Sequence, residues 1–266
     1  MQQKKAIDAH IHVDLYEDQN RLFMLEQAFQ AGIEAVVAVS MHLESCKIQA
    51  LLAEKFPGRV IPAYGFHPEQ PILSDEHKDE LFAWIWAQHE AGESFAIGEV
   101  GLPYYDRTSA EESGTPFDEA PYIALLDQFA ALAAELDRPI VLHAVYEDGA
   151  KACDIMERHQ VKKVHFHWFK GDEATVERMI RLGYLISITP DVAYEEEIRQ
   201  LVERYPLEQL MVETDGPWPF EGPYEGRATV PEMVFDVCSH IAAIKRLPEQ
   251  EVREKLLRNT RGFYEI

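Results

Sequence analysis

Short apolar runs alternate along the chain with longer segments in which apolar residues recur every three or four positions. The short runs are typical of buried parallel strands, and the longer segments are typical of amphipathic helices. Eight such pairs follow one another, which predicts repeated βα units around a parallel sheet. The predicted strands are Ala6–Ile11, Ala35–Val39, Val60–Tyr64, Phe95–Val100, Pro139–Leu142, Val164–Phe166, Tyr184–Ser187 and Gln209–Val212.

Helical patterns fill the segments between these strands. A sheet of eight parallel strands with returning helices closes into a barrel more readily than it remains open. We therefore expect an α/β fold of the TIM-type (β/α)₈ barrel class. No linker or shift in composition divides the chain, and residues 1–266 are predicted to form a single domain. The predicted helices are Gln19–Ala31, Leu43–Lys55, Asp75–Ala91, Asp118–Leu136, Tyr146–His159, Asp172–Arg181, Tyr194–Arg204, Val230–Lys245 and Glu249–Leu257.

Two polar segments interrupt the alternation. Asp106–Pro116 is predicted to be a polar insertion after the fourth strand, and Gly216–Arg227 a loop rich in proline, glycine and aromatic residues after the eighth. Both should lie over the mouth of the barrel. The aromatic residues of the second loop indicate a narrow pocket for a strand end or a small molecule.

The charge balance narrows the choice of ligand. The chain has 25 basic and 47 acidic residues, a net charge of −22, which would repel a polyanion from most of its surface. Bound divalent cations would supply the local positive centre that a phosphate-bearing substrate needs. The three cysteines are far apart, and we find no signal-peptide core or membrane-spanning run, so the protein is predicted to be cytoplasmic and without a membrane partner.

The first strand carries a chelating pattern. In Asp8-Ala9-His10-Ile11-His12 the residues at every second position share one strand face, so His10 and His12 can both point into the barrel. Neutral imidazoles suit zinc and similar divalent ions. A pair of histidines with only structural hydrogen bonds is the alternative interpretation.

The remaining candidate ligands lie at the ends of other strands. The carboxyl ends of barrel strands converge at one face, where active sites form. Glu99 is near the end of the fourth predicted strand, His143 and His167 follow the fifth and sixth, and Asp215 follows the eighth. Six side chains suffice for two ions, and Glu99 could bridge them. His165 shares a strand face with His167 and is the competing ligand, although His167 is nearer the strand's carboxyl end.

Two further residues reach the same mouth. His67, in Gly65-Phe66-His67-Pro68, could hydrogen-bond a substrate oxygen or protonate a leaving group. Glu213 could orient a ligand or contact the substrate. Loop hydrogen bonds for His67 and a neighbouring ion pair for Glu213 are the structural alternatives.

With these motifs the sequence resembles the TatD family of metal-dependent hydrolases over essentially its whole length. The opening Asp8-Ala9-His10-Ile11-His12 is similar to the family's D-x-H-x-H, and the segment around His67 to its G-x-H-P. Further matches follow in the same order: Gly98-Glu99-Val100-Gly101-Leu102, Leu142-His143, His167-Trp168-Phe169-Lys170-Gly171, Glu213-Thr214-Asp215-Gly216-Pro217 and Asn259-Thr260-Arg261-Gly262-Phe263.

The resemblance implies that His10, His12 and Asp215 hold one ion, that His143 and His167 hold the other, and that Glu99 bridges them. It favours His167 over His165. It also implies metal-dependent phosphodiester hydrolysis, as in deoxyribonucleases, some of which are 3′-to-5′ exonucleases. The sequence departs from the family at the substrate rim, where Pro103, Trp168 and Lys170 replace the usual Asp, Cys and Ser.

The predicted mechanism uses a hydroxide activated by two ions, with Asp215 as proton acceptor and Glu99 as bridge. His67, with Lys170 or Arg227, would neutralise charge on a phosphate. Four imidazoles favour zinc, manganese, nickel or iron, with magnesium also possible. The predicted partners are a phosphodiester or small-molecule substrate, or single-stranded nucleic-acid ends, with no obligate protein partner. An amidohydrolase or lactonase, and a non-catalytic metal-binding adaptor, are the alternative functions.

Overall fold

Eight parallel strands, paired in sequence order, form the centre of the molecule in a computed structural model that describes residues 4–266. The predicted (β/α)₈ barrel is therefore confirmed, and only residues 1–3 of the predicted single domain lie outside the described part. Three strands have the bounds that the apolar runs predict. The strands are β1 Ala6–Ile11, β2 Ile33–Ala38, β3 Val60–Tyr64, β4 Ala96–Gly101, β5 Ile140–His143, β6 Val164–Phe166, β7 Leu185–Ile188 and β8 Leu210–Val212.

Helices return the chain between the strands, and two further helices follow β8. The last of these runs to Tyr264, seven residues beyond the predicted end at Leu257. None of the helices within residues 4–266 combines the length and the low charge that crossing a bilayer requires. The helices are α1 Asp18–Ala31, α2 Leu43–Lys55, α3 Asp75–Glu90, α4 Tyr104–Ser113, α5 Ala120–Glu135, α6 Glu147–Arg158, α7 Glu173–Leu182, α8 Glu196–Arg204, α9 Val234–Lys245 and α10 Glu249–Tyr264.

The segment after β4 differs from the prediction. Most of the predicted polar insertion Asp106–Pro116 belongs to helix α4, which begins after Pro103 and ends at Gly114 in a left-handed conformation. This helix buries none of its residues, so it lacks the apolar periodicity by which a helix is recognised in a sequence. Its first turn stands beside the barrel mouth, because Glu69 accepts hydrogen bonds from the backbone N–H groups of Tyr105 and Asp106 at 2.9 and 2.8 Å.

Backbone and side-chain hydrogen bonds join the end of β8 to β1. The Asp215 N–H donates to the His10 carbonyl at 3.0 Å, and the His12 N–H donates to the Gly216 carbonyl at 2.8 Å. The buried Asp8 carboxylate accepts from Thr214 N at 3.0 Å and from Thr214 Oγ1 at 2.5 Å. Asp8 thus fixes β8 against the strand that carries the two histidines.

Apolar side chains fill the space between the strands and the helices. This layer includes Val36, Ile97, Leu142 and Phe166 from the strands, packed with helix residues such as Phe129. A separate cluster contains the alternate strand residues, including Ala35, Val37, Ile61 and Ala63, together with Phe263 and Tyr264 of α10. Both strand faces are therefore buried, which explains the nearly continuous apolar runs of the sequence.

Candidate metal centre

The six predicted ligands come together at the carboxyl ends of five strands. His10 is in β1, Glu99 is in β4, and His143 is the last residue of β5. His12, His167 and Asp215 lie in the segments just after β1, β6 and β8. All six side chains are buried, so their charges and hydrogen-bonding atoms depend on one another rather than on solvent.

One oxygen of Glu99 belongs to a four-atom cluster. Glu99 Oε2 lies 3.1 Å from His10 Nε2 and 3.2 Å from His12 Nε2. Asp215 Oδ1 lies 3.3 and 3.5 Å from the same two nitrogen atoms. Ligand atoms that hold a tetrahedral ion at roughly 2.1 Å are themselves roughly 3.4 Å apart. The spacing of this cluster therefore suits a divalent cation.

The other oxygen of Glu99 belongs to a second cluster. Glu99 Oε1 lies 3.0 Å from His143 Nδ1 and 2.7 Å from His167 Nε2, and these nitrogen atoms are 3.1 Å apart. His67 Nε2 is 3.4 Å from the same oxygen. A single carboxylate thus joins two groups of imidazoles, one at each of its oxygen atoms.

Buried polar atoms without hydrogen-bond partners mark the first cluster. His10 Nε2, Glu99 Oε2 and Asp215 Oδ1 are buried and lack a hydrogen-bond partner of good geometry. Leaving such atoms unsatisfied costs about 1–3 kcal/mol each, and more for charged groups. A divalent cation would satisfy all three at once, so the residues present fit the ions that the sequence predicts.

The titration behaviour of the ligands points in the same direction. Burial and the nearby His167 would lower the pKa of His10, but Glu99 and Asp215 outweigh them and raise it to about 9. Burial would raise the pKa of Glu99, yet the surrounding histidines His167, His67 and His10 hold it well below its ordinary value. Without ions, protons on the imidazoles balance the carboxylates, and cations would take the place of those protons.

Local backbone geometry brings the ligands close together. A side chain at Gly101 would place its Cβ 1.8 Å from the His143 carbonyl oxygen, so only glycine allows β4 and β5 to approach here. Asp215 and Trp168 have φ angles of 49° and 38°, a left-handed conformation that is unfavourable for residues other than glycine. Such strain is characteristic of functional sites, where the surrounding structure holds a side chain in place.

Glu69 is a functional candidate that sequence reasoning missed. Its Oε1 lies 3.2 Å from His143 Nε2, the ring nitrogen that faces away from Glu99. A carboxylate on the far nitrogen of a metal-binding histidine fixes the tautomer and the ring orientation. The only signal in the sequence is an acid two residues after His67, which gives no indication of its contact with His143.

His67 faces the second cluster as a hydrogen-bond donor. Its Nδ1 accepts the Glu69 backbone N–H at 3.1 Å, which leaves the ring proton on Nε2, the nitrogen nearest Glu99. Burial, the largest effect, lowers the pKa of His67 and favours this neutral form. His67 therefore directs an N–H group toward the metal ligands.

His165 does not reach the clusters, although it lies only two residues before His167. Its Nδ1 is 2.7 Å from the Tyr264 hydroxyl, and its Nε2 is 2.5 Å from Ser187 Oγ. Both ring nitrogens thus have partners in the described structure. The geometry brings His167, and not His165, to Glu99.

Three residues that the sequence predicts at the substrate do not line the cavity next to the metal ligands. Glu213 is buried, accepts hydrogen bonds from Ser187 Oγ and from the Trp168 backbone N–H, and lies 3.7 Å from His167 Nδ1. Its oxygen atoms are already engaged, so it suits orienting His167 better than holding an ion. Lys170 lines a different cavity, between α7 and α8. Arg227 is exposed, with its guanidinium over the Tyr224 ring.

A cavity of about 740 Å³ opens above the two clusters. His12, His67, His143 and Asp215 form part of its wall, and apolar and aromatic side chains form much of the remainder. Trp168, which departs from the family pattern, is one of them, and its Nε1 donates to Asp191 Oδ2 at 2.6 Å. The volume accommodates a small molecule or the end of a chain.

The comparisons with known proteins agree with this geometry. The sequence profile described as TatD-related DNase matches residues 7–265. An uncharacterised metal-dependent hydrolase of Haemophilus influenzae is 36% identical, covering 97% of this chain and 99% of its own length. Human deoxyribonuclease TATDN3 is 27% identical, covering 95% of this chain and 92% of its own.

A solved structure shows the same fold. The crystal structure of YjjV, the TatD homologue of Escherichia coli, superposes with a TM-score of 0.82 and 26% identity, covering 98% of both chains. The hydrolase of the TatD family from Entamoeba histolytica superposes with a TM-score of 0.78 at 16% identity, again over 98% of both chains, which supports the fold alone. The profile match, the relatives and the clustered ligands together establish that this chain belongs to the TatD family of metal-dependent hydrolases.

Proposed function

We propose that the protein hydrolyses phosphodiester bonds with two divalent cations, which the residues around the two oxygens of Glu99 would hold and which Glu99 would share. The observation that carries this proposal is the division of the Glu99 carboxylate, with Oε2 near His10 and His12 and Oε1 near His143 and His167. When bound, such ions supply an activated water near neutral pH and polarise the phosphoryl oxygen. The name of the human relative, a deoxyribonuclease, supports DNA as the substrate. Action on a nucleic-acid end, including 3′-to-5′ exonuclease action, is what the family resemblance implies.

The chain's own residues provide the remaining roles. Asp215 stands beside His10 and His12 and borders the cavity, so its carboxylate would accept the proton of the attacking water. The His67 Nε2–H would donate to the phosphoryl oxygen as negative charge develops there. Glu69 holds the His143 ring in position through Nε2. Lys170 and Arg227 would assist only from outside the cavity wall.

The donor set favours particular ions. Four imidazoles and two carboxylates suit zinc, manganese, nickel or iron better than magnesium, which prefers oxygen ligands and keeps its waters. We therefore propose two ions of this borderline class, with magnesium as a weaker substitute. The three cysteines, buried and unpaired, are compatible with the reducing cytoplasm that the sequence predicts.

A carbonyl hydrolase is the second candidate, and one observation favours it. Among the described residues that line the cavity, none is lysine or arginine, and several are apolar. An uncharged amide or lactone would enter such a pocket without needing a cationic partner. The same activated water attacks a carbonyl carbon as readily as a phosphorus atom.

Stripping and reloading the protein separates these functions. We expect chelated protein to be inactive and protein reloaded with zinc or manganese to cleave bis(4-nitrophenyl) phosphate and 3′-labelled single-stranded DNA. Cleavage of lactones or amides without any phosphodiester cleavage would replace the proposal with the second candidate. Metal-loaded protein that cleaves neither class would favour the non-catalytic adaptor.

A further inference from the structure

Exposed apolar side chains surround the mouth of the cavity. Leu15, Tyr105 and Trp218 follow β1, β4 and β8, all three line the cavity, and their exposed fractions are 53%, 51% and 58%. Large apolar side chains that gather exposed at a concave site mark a surface built for a ligand. An aromatic or aliphatic part of the substrate would cover them.

A fixed aromatic wall extends this rim into the cavity. The Trp168 indole is anchored by its 2.6 Å hydrogen bond to the buried Asp191. Its ring centroid lies 6.1 Å from that of Trp218 and 5.6 Å from that of Phe220. A wall of this kind offers a planar group of the substrate a stacking or edge-on surface.

Acidic side chains also lie at the rim, and the nearby Arg107 is already paired with carboxylates. Glu69 and Asp106 line the cavity beside Tyr105. On α4, Arg107 is held by Glu147 at 2.9 Å and by Asp148 at 3.0 Å. A long polynucleotide would bring successive phosphates to this rim, and each phosphate would need a cation there to offset repulsion.

From the apolar rim, its acidic residues and the paired Arg107 we propose that the preferred substrate is a short phosphodiester of the size of a dinucleotide, with one planar group against the aromatic wall, rather than a polynucleotide. This inference rests on the proposed phosphodiesterase function. The water oxygen bonds to phosphorus as the bond from phosphorus to the leaving oxygen breaks. One proton goes to that oxygen, and the products are a phosphate monoester and an alcohol.

A length series tests the inference. We would measure kcat/KM of the manganese-loaded protein on a deoxydinucleotide, a tetranucleotide and a single-stranded 20-mer at constant ionic strength. We expect kcat/KM to fall by about tenfold or more from the dinucleotide to the 20-mer, because each added phosphate meets an uncompensated negative rim. A value that rises with length would overturn the inference and leave the proposed function standing. If neither the three oligonucleotides nor bis(4-nitrophenyl) phosphate is cleaved, both the inference and the proposed function are overturned.

Two matched pairs of variants sharpen this result. Leu15→Lys adds a cation at the rim and should raise kcat/KM for the 20-mer several-fold more than for the dinucleotide. Leu51→Lys adds the same charge on α2 at a residue that is 65% exposed and should not change the ratio of kcat/KM for the 20-mer to that for the dinucleotide.

The second pair concerns aromatic residues. Trp218→Ala should raise KM for the dinucleotide by roughly tenfold, whereas Phe23→Ala, at an exposed aromatic residue of α1, should leave it unchanged. Equal effects within either pair would contradict the assignment of the rim.

A second observation concerns the barrel interior and is independent of the substrate. A chain of hydrogen bonds links Tyr264 at the end of α10 to His165, then to Ser187 and then to Glu213. All four residues are buried. We call them the inner network. It reaches Glu213 at Oε2, and the other carboxylate oxygen, Oε1, accepts from the Trp168 N–H at 2.8 Å and lies 3.7 Å from His167 Nδ1.

Donors and acceptors fix the direction of the inner network. An ionised Glu213 can only accept, so the Ser187 hydroxyl donates its proton to it. Ser187 Oγ then accepts from His165 Nε2–H, which leaves His165 Nδ1 to accept from the Tyr264 hydroxyl. With Glu213 ionised and one proton on the His165 ring, every donor therefore points toward Glu213.

The geometry points to Tyr264 and His165 as positioning residues that act through Ser187 and Glu213 on His167. They would hold the Glu213 carboxylate, which lies at ion-pair distance, 3.7 Å, from His167 Nδ1 and so favours the ring orientation with Nε2 toward Glu99. Loss of an outer partner of a metal ligand typically weakens metal affinity by about 10- to 100-fold. Within residues 4–266, His12 and Asp215 of the first cluster form no hydrogen bond or ion pair with the inner network, so the ion held there should be less affected.

Tyr264→Phe removes the first donor and tests this role. The matched control is Tyr205→Phe, which also deletes one buried hydroxyl, one that donates to the Tyr184 carbonyl at 2.9 Å. We expect both variants to melt at lower temperature than the wild type, but only Tyr264→Phe to bind the second of two zinc ions about tenfold more weakly by titration calorimetry. Unchanged affinity for the second ion in Tyr264→Phe, or equal weakening in Tyr205→Phe, would overturn the assignment.

Discussion

Two buried histidines of different strands, His165 of β6 and His10 of β1, show how different the interior and the mouth of this barrel are. His165, in the inner network, has a hydroxyl partner for each ring nitrogen. His10, at the mouth, is equally buried, yet neither of its ring nitrogens has a hydrogen-bond partner of good geometry. Burial of a histidine therefore does not identify a metal site. Several buried nitrogen and oxygen atoms that lack hydrogen-bond partners and lie at the spacing of metal ligands are the more specific sign.

The comparison predicts that changes at the mouth cost activity. The largest effect is expected for Asp215→Asn, because the amide cannot accept the proton of the attacking water and is a poorer metal ligand. We expect kcat to fall on the order of 1,000-fold, with the circular dichroism spectrum of the metal-free protein close to that of the wild type. An active, metal-loaded Asp215→Asn protein would contradict the assignment.

Changes below the mouth should cost stability instead. Asp8→Ala removes the acceptor of Thr214 N and Thr214 Oγ1 and leaves two buried donors at the junction of β8 and β1. We expect the free energy of unfolding of the metal-free protein to fall by about 3 kcal/mol, measured by urea denaturation. Asp8→Asn retains a carbonyl acceptor and should lose less. A loss below about 1 kcal/mol for Asp8→Ala would show that Asp8 does not hold this junction.

The pH dependence should also differ with and without ions. His10 has a folded-state pKa of about 9, above its ordinary value of 6.5. Its protonated form therefore stabilises the metal-free protein at low pH, and this stabilisation is lost as the pH rises from about 6.5 through 9. Asp8, whose pKa burial raises to about 8, contributes with the same sign.

Thermal melting at several pH values measures this effect. We expect the melting temperature of chelated protein to fall between pH 6.5 and 9, whereas zinc-loaded protein should change less because ions replace the protons. Over the same range the apparent zinc affinity should rise, since fewer protons compete for His10. Chelated protein that becomes more stable toward pH 9 would contradict the charge arrangement of the first cluster.

The smallest effects are expected for the cationic residues that the sequence predicts at the substrate. Because Lys170 lines a different cavity and Arg227 is exposed over Tyr224, replacing either by alanine should change kcat/KM by less than about threefold. Steady-state assays on bis(4-nitrophenyl) phosphate measure this. A tenfold loss would show that these side chains reach the substrate and that the mouth closes around it.

The sequence predicts the fold, and the convergence of the six candidate ligands, for a physical reason. Barrel strands are buried on both faces, so they appear in the sequence as apolar runs. Residues at the carboxyl ends of the strands converge at one face of the barrel independently of the loop conformations. Helix α4 escapes prediction because it buries no residue. Glu69 escapes because its contact with His143 depends on how a loop and α4 pack, which no periodicity encodes. Lys170 has the charge suited to a substrate contact, but its direction follows from the loop after β6.

The most direct test counts the ions bound to the purified protein by elemental mass spectrometry after dialysis against zinc or manganese. The same count is made for Glu99→Ala. We expect about two bound ions per chain in the wild type and one or fewer in the variant, because each oxygen of Glu99 belongs to one cluster. A single ion in the wild type, or two ions retained in Glu99→Ala, would contradict a centre bridged by Glu99.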